Sequence, residues 1–176
     1  MSCGRALAKF PVIQDFAIDP YYLLQIIALL RTEAAPSCKR KDVLGLTAAK
    51  VSELWDKTVE ALASALTILG DDCGVLIPKW LPYNTMVIPF GALLAKHGAT
   101  KGLKAGEVRH KLVRWFWCSV FNQSYENAPN SQAAKDLLEV GSWLAGKPAP
   151  ASIESFSFEA AALHEVTPKQ RALYGV

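Results

Sequence analysis

The stretch Thr47–Gly70, TAAKVSELWDKTVEALASALTILG, carries the reading of the fold class. Its apolar residues recur at Val51, Leu54, Trp55, Val59, Leu62, Leu66 and Leu69, in steps of three and four. That spacing puts them on one side of an α-helix; a half-buried strand would need a period of two. Thr47 supplies an N-cap, and Gly70 stands where a helix-ending glycine belongs. Asp71-Asp72-Cys73-Gly74 then reads as a turn.

Working outward, Asp19-Pro20 combines a capping carboxylate with proline at the first helical position. The helix it starts, Tyr21–Arg31, is apolar nearly all round, which predicts burial on most faces. Residues 34–41 form a basic loop, and 1–18 an irregular lead-in with Phe10–Ile18 extended. Beyond the first helix read, Val75–Ile77 is extended and Pro78 and Pro82 bracket a short connector. Asn84–His97 reads as a helix bent by Pro89, whose ring removes a backbone hydrogen bond. Residues 98–106 are a glycine-rich link, followed by a helix over 107–123. The sequence ENAPN breaks it, and Ser131–Leu144 is helical again, closed by Gly146 and Pro148. Phe156–Glu165 is a short helix, and Thr167-Pro168 starts another that reaches the last residue, Val176, in under about three turns. Residues 167–176 therefore read as the start of a truncated helix. With no alternating stretch and no internal repeat, the expectation is one all-α domain over residues 1–176, of six or seven helices.

A chain of 176 residues is long enough to bury a core, and 51% hydrophobic with 20% charged residues is ordinary globular usage. The net charge of +3 points to no partner by itself. Its distribution is uneven: Lys96–Arg114 carries a local balance of +5 and Tyr125–Glu165 one of −4. The four cysteines (Cys3, Cys38, Cys73, Cys118) are scattered, as suits small apolar side chains in a reducing cytoplasm. The N-terminus has no signal-peptide pattern, and the apolar run Tyr21–Leu30 is about half the length of a membrane helix. A cytoplasmic protein without a membrane partner is expected.

No glycine-rich phosphate loop, nucleophile elbow or His-Glu-x-x-His pair occurs. The three histidines are isolated: His97 reads as a helix-end cation, His110 as part of a solvated face, and His164-Glu165 as neighbours that cannot face each other. Asp71-Asp72 has no further oxygen ligands near it. The expectation is no metal, no cofactor and no enzymatic activity of this chain alone.

The segment LVRWFWCSVFNQSY, residues 112–125, allows two readings. Leu112, Phe116 and Val120 make one helical stripe, with Val113, Trp117 and Phe121 beside it, which places Phe116 and Trp117 in the core. Trp115 then falls at the edge near Lys111 and Arg114. Base stacking on an aromatic beside cations is one way to hold single strands. Lys101, Lys104, Arg109, Lys111, Arg114 and Trp115 are accordingly the candidate nucleic-acid contacts.

The same segment, continued through YENAPNSQAAKDL, resembles the helical region of the GmrSD-type restriction endonuclease family, GmrS-like proteins. The residues that carry the resemblance are Trp115, Phe116, Trp117, Phe121, Tyr125 and Asp136, with LPYNTMVIPFGALL (residues 81–94) before them and TPKQRALYGV (167–176) after. The order agrees over most of residues 20–176. The resemblance implies a position behind a ParB-like domain with an Asp-Gly-Gln-Gln-Arg motif and, in many members, before a histidine-containing nuclease domain. Neither motif occurs here, and Gln123-Ser124 stands where a basic residue is expected. It thus implies a non-catalytic helical module of a DNA-restriction or phage-defence protein, whose expected partners are the missing domains, with DNA as a further candidate. A stand-alone nucleic-acid-binding or protein-interaction module is the alternative, with self-association through the C-terminal helix.

Overall fold

The computed structural model describes residues 9–98 and 103–157. Within them the chain is all-α, without a strand. Eight helices follow in order: α1 (Pro11–Asp15), α2 (Pro20–Arg31), α3 (Arg40–Leu44), α4 (Ala48–Cys73), α5 (Val87–His97), α6 (Leu103–Phe121), α7 (Pro129–Leu144) and α8 (Ala151–Glu154). The 3-10 turns Pro78–Trp80 and Asn84–Met86 join α4 to α5. The readings over 158–176, including the helix starting at Thr167-Pro168, lie outside the described residues, as does Cys3.

The helix starts follow the sequence. Asp19 accepts a hydrogen bond from the Tyr21 amide at 2.9 Å with Pro20 at the first position, and Thr47 caps α4 through the Lys50 amide at 3.2 Å. Several ends differ. α4 runs through Gly70 to Cys73 and stops at Gly74, which has φ +69. The residues read as a turn, Asp71–Cys73, are the last helical turn. Cys73 is buried there, so core contact continues past the glycine and holds the helix on. Phe10–Ile18 is not extended: Pro11 starts the short α1, whose Ile13 enters the core. The basic loop 34–41 gives way to α3 at Arg40, and α6 starts at Leu103, inside the segment read as a link. Pro89 does not lie deep inside its helix. Because Asn84–Met86 is 3-10 and α5 starts at Val87, Pro89 lies in the first turn, where its missing N–H has no helical acceptor to lose.

α5 is the hub of the fold. It packs against α4, α2 and α7, and every residue from Val87 to Leu93 is buried. Gly91 makes this possible, since a Cβ there would come within 2.8 Å of the Ile26 side chain and 3.7 Å of the Leu62 backbone. α2 is buried as predicted, with Leu23 and Ile26–Leu29 inside, and so is its polar Gln25. α6 and α7 close the other side of the core, joined by the turn that contains Tyr125.

Candidate functional site

The aromatic helix α6 buries the Leu112, Phe116 and Val120 stripe as expected, but it is rotated so that Trp115 takes the core place expected of Trp117. Trp115 is 1% exposed, Phe116 is fully buried, and Trp117 is only half-buried. The buried residues of α6 are Val108, Leu112, Trp115, Phe116, Cys118, Ser119 and Val120, while Val113, Trp117 and Phe121 form its flank. Two contacts fix the rotation. The Trp115 ring meets Phe90 of α5 edge-on at 5.6 Å, and its indole N–H donates to Asp136 of α7 at 3.1 Å. The expectation of Trp115 as an edge contact is therefore corrected: an indole with a buried acceptor in reach turns inward. Trp117 stacks on Phe121 at 5.8 Å, and Phe121 on Phe156 at 6.2 Å, so the segment beyond α7 covers that flank.

Asp136 is the centre of a buried polar junction. Its carboxyl is 4% exposed and accepts three hydrogen bonds: Trp115 Nε1 at 3.1 Å, the Tyr125 hydroxyl at 2.5 Å and Gln132 Nε2 at 2.9 Å. Tyr125 is buried, and burial beside Asp136 holds its phenol well above the usual value. Burial likewise pushes the Asp136 carboxyl up, to about 6, against the lowering effect of its three donors. Of the residues that carry the family resemblance, Trp115, Tyr125 and Asp136 thus meet at one point, and Phe116 packs in the core beside them.

A second junction lies alongside. Gln25 of α2 donates to the Cys38 carbonyl at 3.1 Å and to Asn130 Oδ1 at 3.3 Å, and the Cys38 thiol faces Asn130 at 3.6 and 3.7 Å. Burial pushes the Cys38 thiol up to about 11, which keeps it protonated and unreactive. The sequence reading missed this junction. Its signal was Gln25 itself, since a polar side chain inside an apolar helix needs a buried partner. Nothing local marked Cys38 and Asn130 as those partners.

The basic candidates are dispersed by intramolecular contacts. Arg109 pairs with Asp72 through Nε and with Asp71 at 3.3 Å, tying α6 to the end of α4. Lys111 bonds Glu107 at 2.6 Å and the Trp143 carbonyl at 3.3 Å, with its ammonium 5.4 Å from the Trp143 ring centre. Arg114 is exposed and donates to the Ile153 carbonyl at 3.5 Å. Lys104 is exposed, and Lys101 lies outside the described residues. His97 is the last residue of α5, as expected. Its Nε2 is buried against Gly141 without a partner, and burial lowers its pKa. Among the described residues no group of three His, Cys, Asp or Glu has a metal-binding arrangement. No described helix is long and apolar enough to cross a membrane.

Comparison with known proteins adds one relative. An uncharacterized protein of Methanocaldococcus jannaschii is 27% identical over 143 residues, covering 75% of this chain and 23% of its own length. The chain thus spans about a quarter of that relative. No family model and no solved structure matches it.

Proposed function

We propose that the chain is a non-catalytic helical module of a GmrSD-type DNA-restriction protein, linking nucleotide-binding and nuclease parts that lie outside these residues. The observation that supports this reading is the convergence of Trp115, Tyr125 and Asp136 on one buried carboxyl group. Residues that mark the resemblance spend their polar groups on each other and hold α6 to α7. Such a motif serves shape, and a module valued for its shape is a support on which other domains act. Similarity to a segment of a much longer protein agrees with that role.

The test is a domain exchange. Residues 9–157 replace the helical region of an active GmrSD-type protein, and restriction is scored as plaque formation by phage with modified DNA. Restriction is expected to persist with the native module and to be lost with Asp136→Ala. Loss with both, from a soluble and folded chimera, refutes the proposal.

A second reading, direct DNA contact, draws on the exposure of Lys104 and Arg114. It predicts binding of the isolated chain to single-stranded or duplex DNA that weakens with salt, with a shallower salt slope in Lys104→Ala and Arg114→Ala. No binding at low salt removes it.

A further inference from the structure

A narrow cleft lies between the turn that joins α1 to α2 and the connection from α4 to α5. It holds about 150 Å³, with Phe16, Ile18, Tyr22, Pro78 and Leu81 on its walls. Cavities that enclose a whole small-molecule ligand start at about 300 Å³, so this one has the size of a single side chain. Asp19 and Asn84 supply the polar part of its lining, and Asp19 is the charged residue there.

Asp19 uses only one oxygen within the chain. Oδ1 caps α2 through the Tyr21 amide, while Oδ2 has no hydrogen bond and Asp19 no ion pair among the described residues. The Tyr22 hydroxyl and the Asn84 side chain have no hydrogen-bond partner among them either. Burial, and then the charge of Asp19, raises the Tyr22 phenol, so its hydroxyl keeps its proton beside the carboxylate. The positive end of α2 offsets only about half a charge, which leaves the cleft negative. An anion is repelled there, and a neutral side chain leaves the carboxylate unpaired. A guanidinium fits better: its flat fork of N–H donors can meet several acceptors, and its face stacks on aromatic rings such as Phe16 and Tyr22.

The cleft continues into an apolar shelf. Val75 and Leu81 are buried and pin the connection at both ends, but Leu76, Ile77 and Trp80 between them are 66%, 45% and 49% exposed. No other stretch of this length among the described residues exposes three large apolar side chains. A pocket beside an exposed aromatic is the usual build of a peptide-binding surface.

We propose that this cleft binds an arginine side chain of an extended partner peptide whose flanking residues are apolar. The arginine stem lies along the apolar walls, the guanidinium pairs with Asp19 Oδ2, and the flanking residues rest on Ile77 and Trp80. The choice of a cationic anchor follows from the charge of the cleft, and the choice of apolar neighbours from the shelf.

The test is NMR titration of the whole chain with butylguanidinium, with butanol as the uncharged probe and with acetyl-Leu-Arg-Leu-amide as the peptide. Butylguanidinium is expected to give saturable shifts at Tyr22 and Asn84 with a millimolar Kd, and the peptide to shift the Trp80 indole as well. No saturable shift by about 50 mM, where a millimolar site is filled, overturns the proposal. Equal binding of butanol overturns it too, since the cleft then takes any apolar group. Asp19→Asn keeps the helix cap and removes the charge, and is expected to weaken butylguanidinium binding about threefold or more. An unchanged affinity in that variant removes the ion pair. Trp80→Ser, at an exposed position, is expected to weaken the peptide and leave butylguanidinium unaffected. A peptide that binds Trp80→Ser as well as the native chain overturns the shelf.

Discussion

At Thr58, in the middle of α4, a fully buried hydroxyl has no hydrogen-bond partner. Burying such a group without compensation costs about 1–3 kcal/mol, and valine has the same shape without the cost. Thr58→Val is expected to raise the stability measured by urea unfolding by about 1 kcal/mol, whereas Thr58→Ala opens a gap and lowers it. Trp115 is the opposite case, because its ring fills the core and its N–H is satisfied. Trp115→Ala is expected to cost about 3–5 kcal/mol in the same measurement, as a core truncation does. An edge aromatic would lose far less. That rotation also shows why the site was only partly legible. The core stripe 112/116/120 and its neighbour 113/117/121 are equally apolar, so periodicity finds the helix but not its exact rotation. The rotation depends on Phe90 and Asp136, each more than twenty residues away in sequence.

Among the elements, the starts of helices are written in the chain and the ends are concealed. Asp19-Pro20, Thr47 and Pro129 each mark a beginning. After α6, the Ser124 amide bonds the Ser119 carbonyl and the Gln123 amide bonds that of Val120, with Gln123 at φ +54. Ala17 takes the same place after α1, at φ +46, and Gly146 after α7, at φ +99. Only the last announces itself, because glycine is the residue expected in that left-handed position. Gln123→Gly relieves a cost of about 1–2 kcal/mol and gives part of it back in unfolded-chain entropy. A net gain of about 0.5 kcal/mol in urea unfolding is expected. The end of α4 is unusual electrostatically, since Asp71 and Asp72 lie at the negative end of the helix dipole. Arg109 offsets this and holds the Asp72 carboxyl below its usual range. Arg109 is partly exposed, so Arg109→Ala is expected to cost only about 1 kcal/mol or less at low salt, shrinking as salt is added.

At the scale of the whole molecule, two of the described groups, both touching α7, respond to pH in opposite directions. Asp136 is displaced upward, so between the ordinary carboxylate value and about 6 the folded chain keeps a proton that the unfolded chain has released. Its contribution is present in acid and lost as pH rises through that window, about 3 kcal/mol at most. His97 is displaced downward, so as pH falls through 6.5 the unfolded chain takes up a proton that the folded chain refuses. Its contribution is present above that value and lost in acid. Asp72 and Glu107, held low by Arg109 and Lys111, act only below the ordinary carboxylate range. In the native protein the two opposing slopes therefore offset each other between about pH 5 and 6.5. Asp136→Asn removes one of them, and its melting temperature is expected to fall more steeply than that of the native chain on acidification across that range. A native-like profile in the variant counts against this balance. The bond from Gln25 to Asn130 adds an order in time, because it spans 105 residues. A chain made from its N-terminus, at about 5–20 residues per second, has α2 complete several seconds before Asn130 exists. For that interval the Gln25 amide has only the nearby Cys38 carbonyl of its two acceptors, so α2 is made long before the contact that completes its burial.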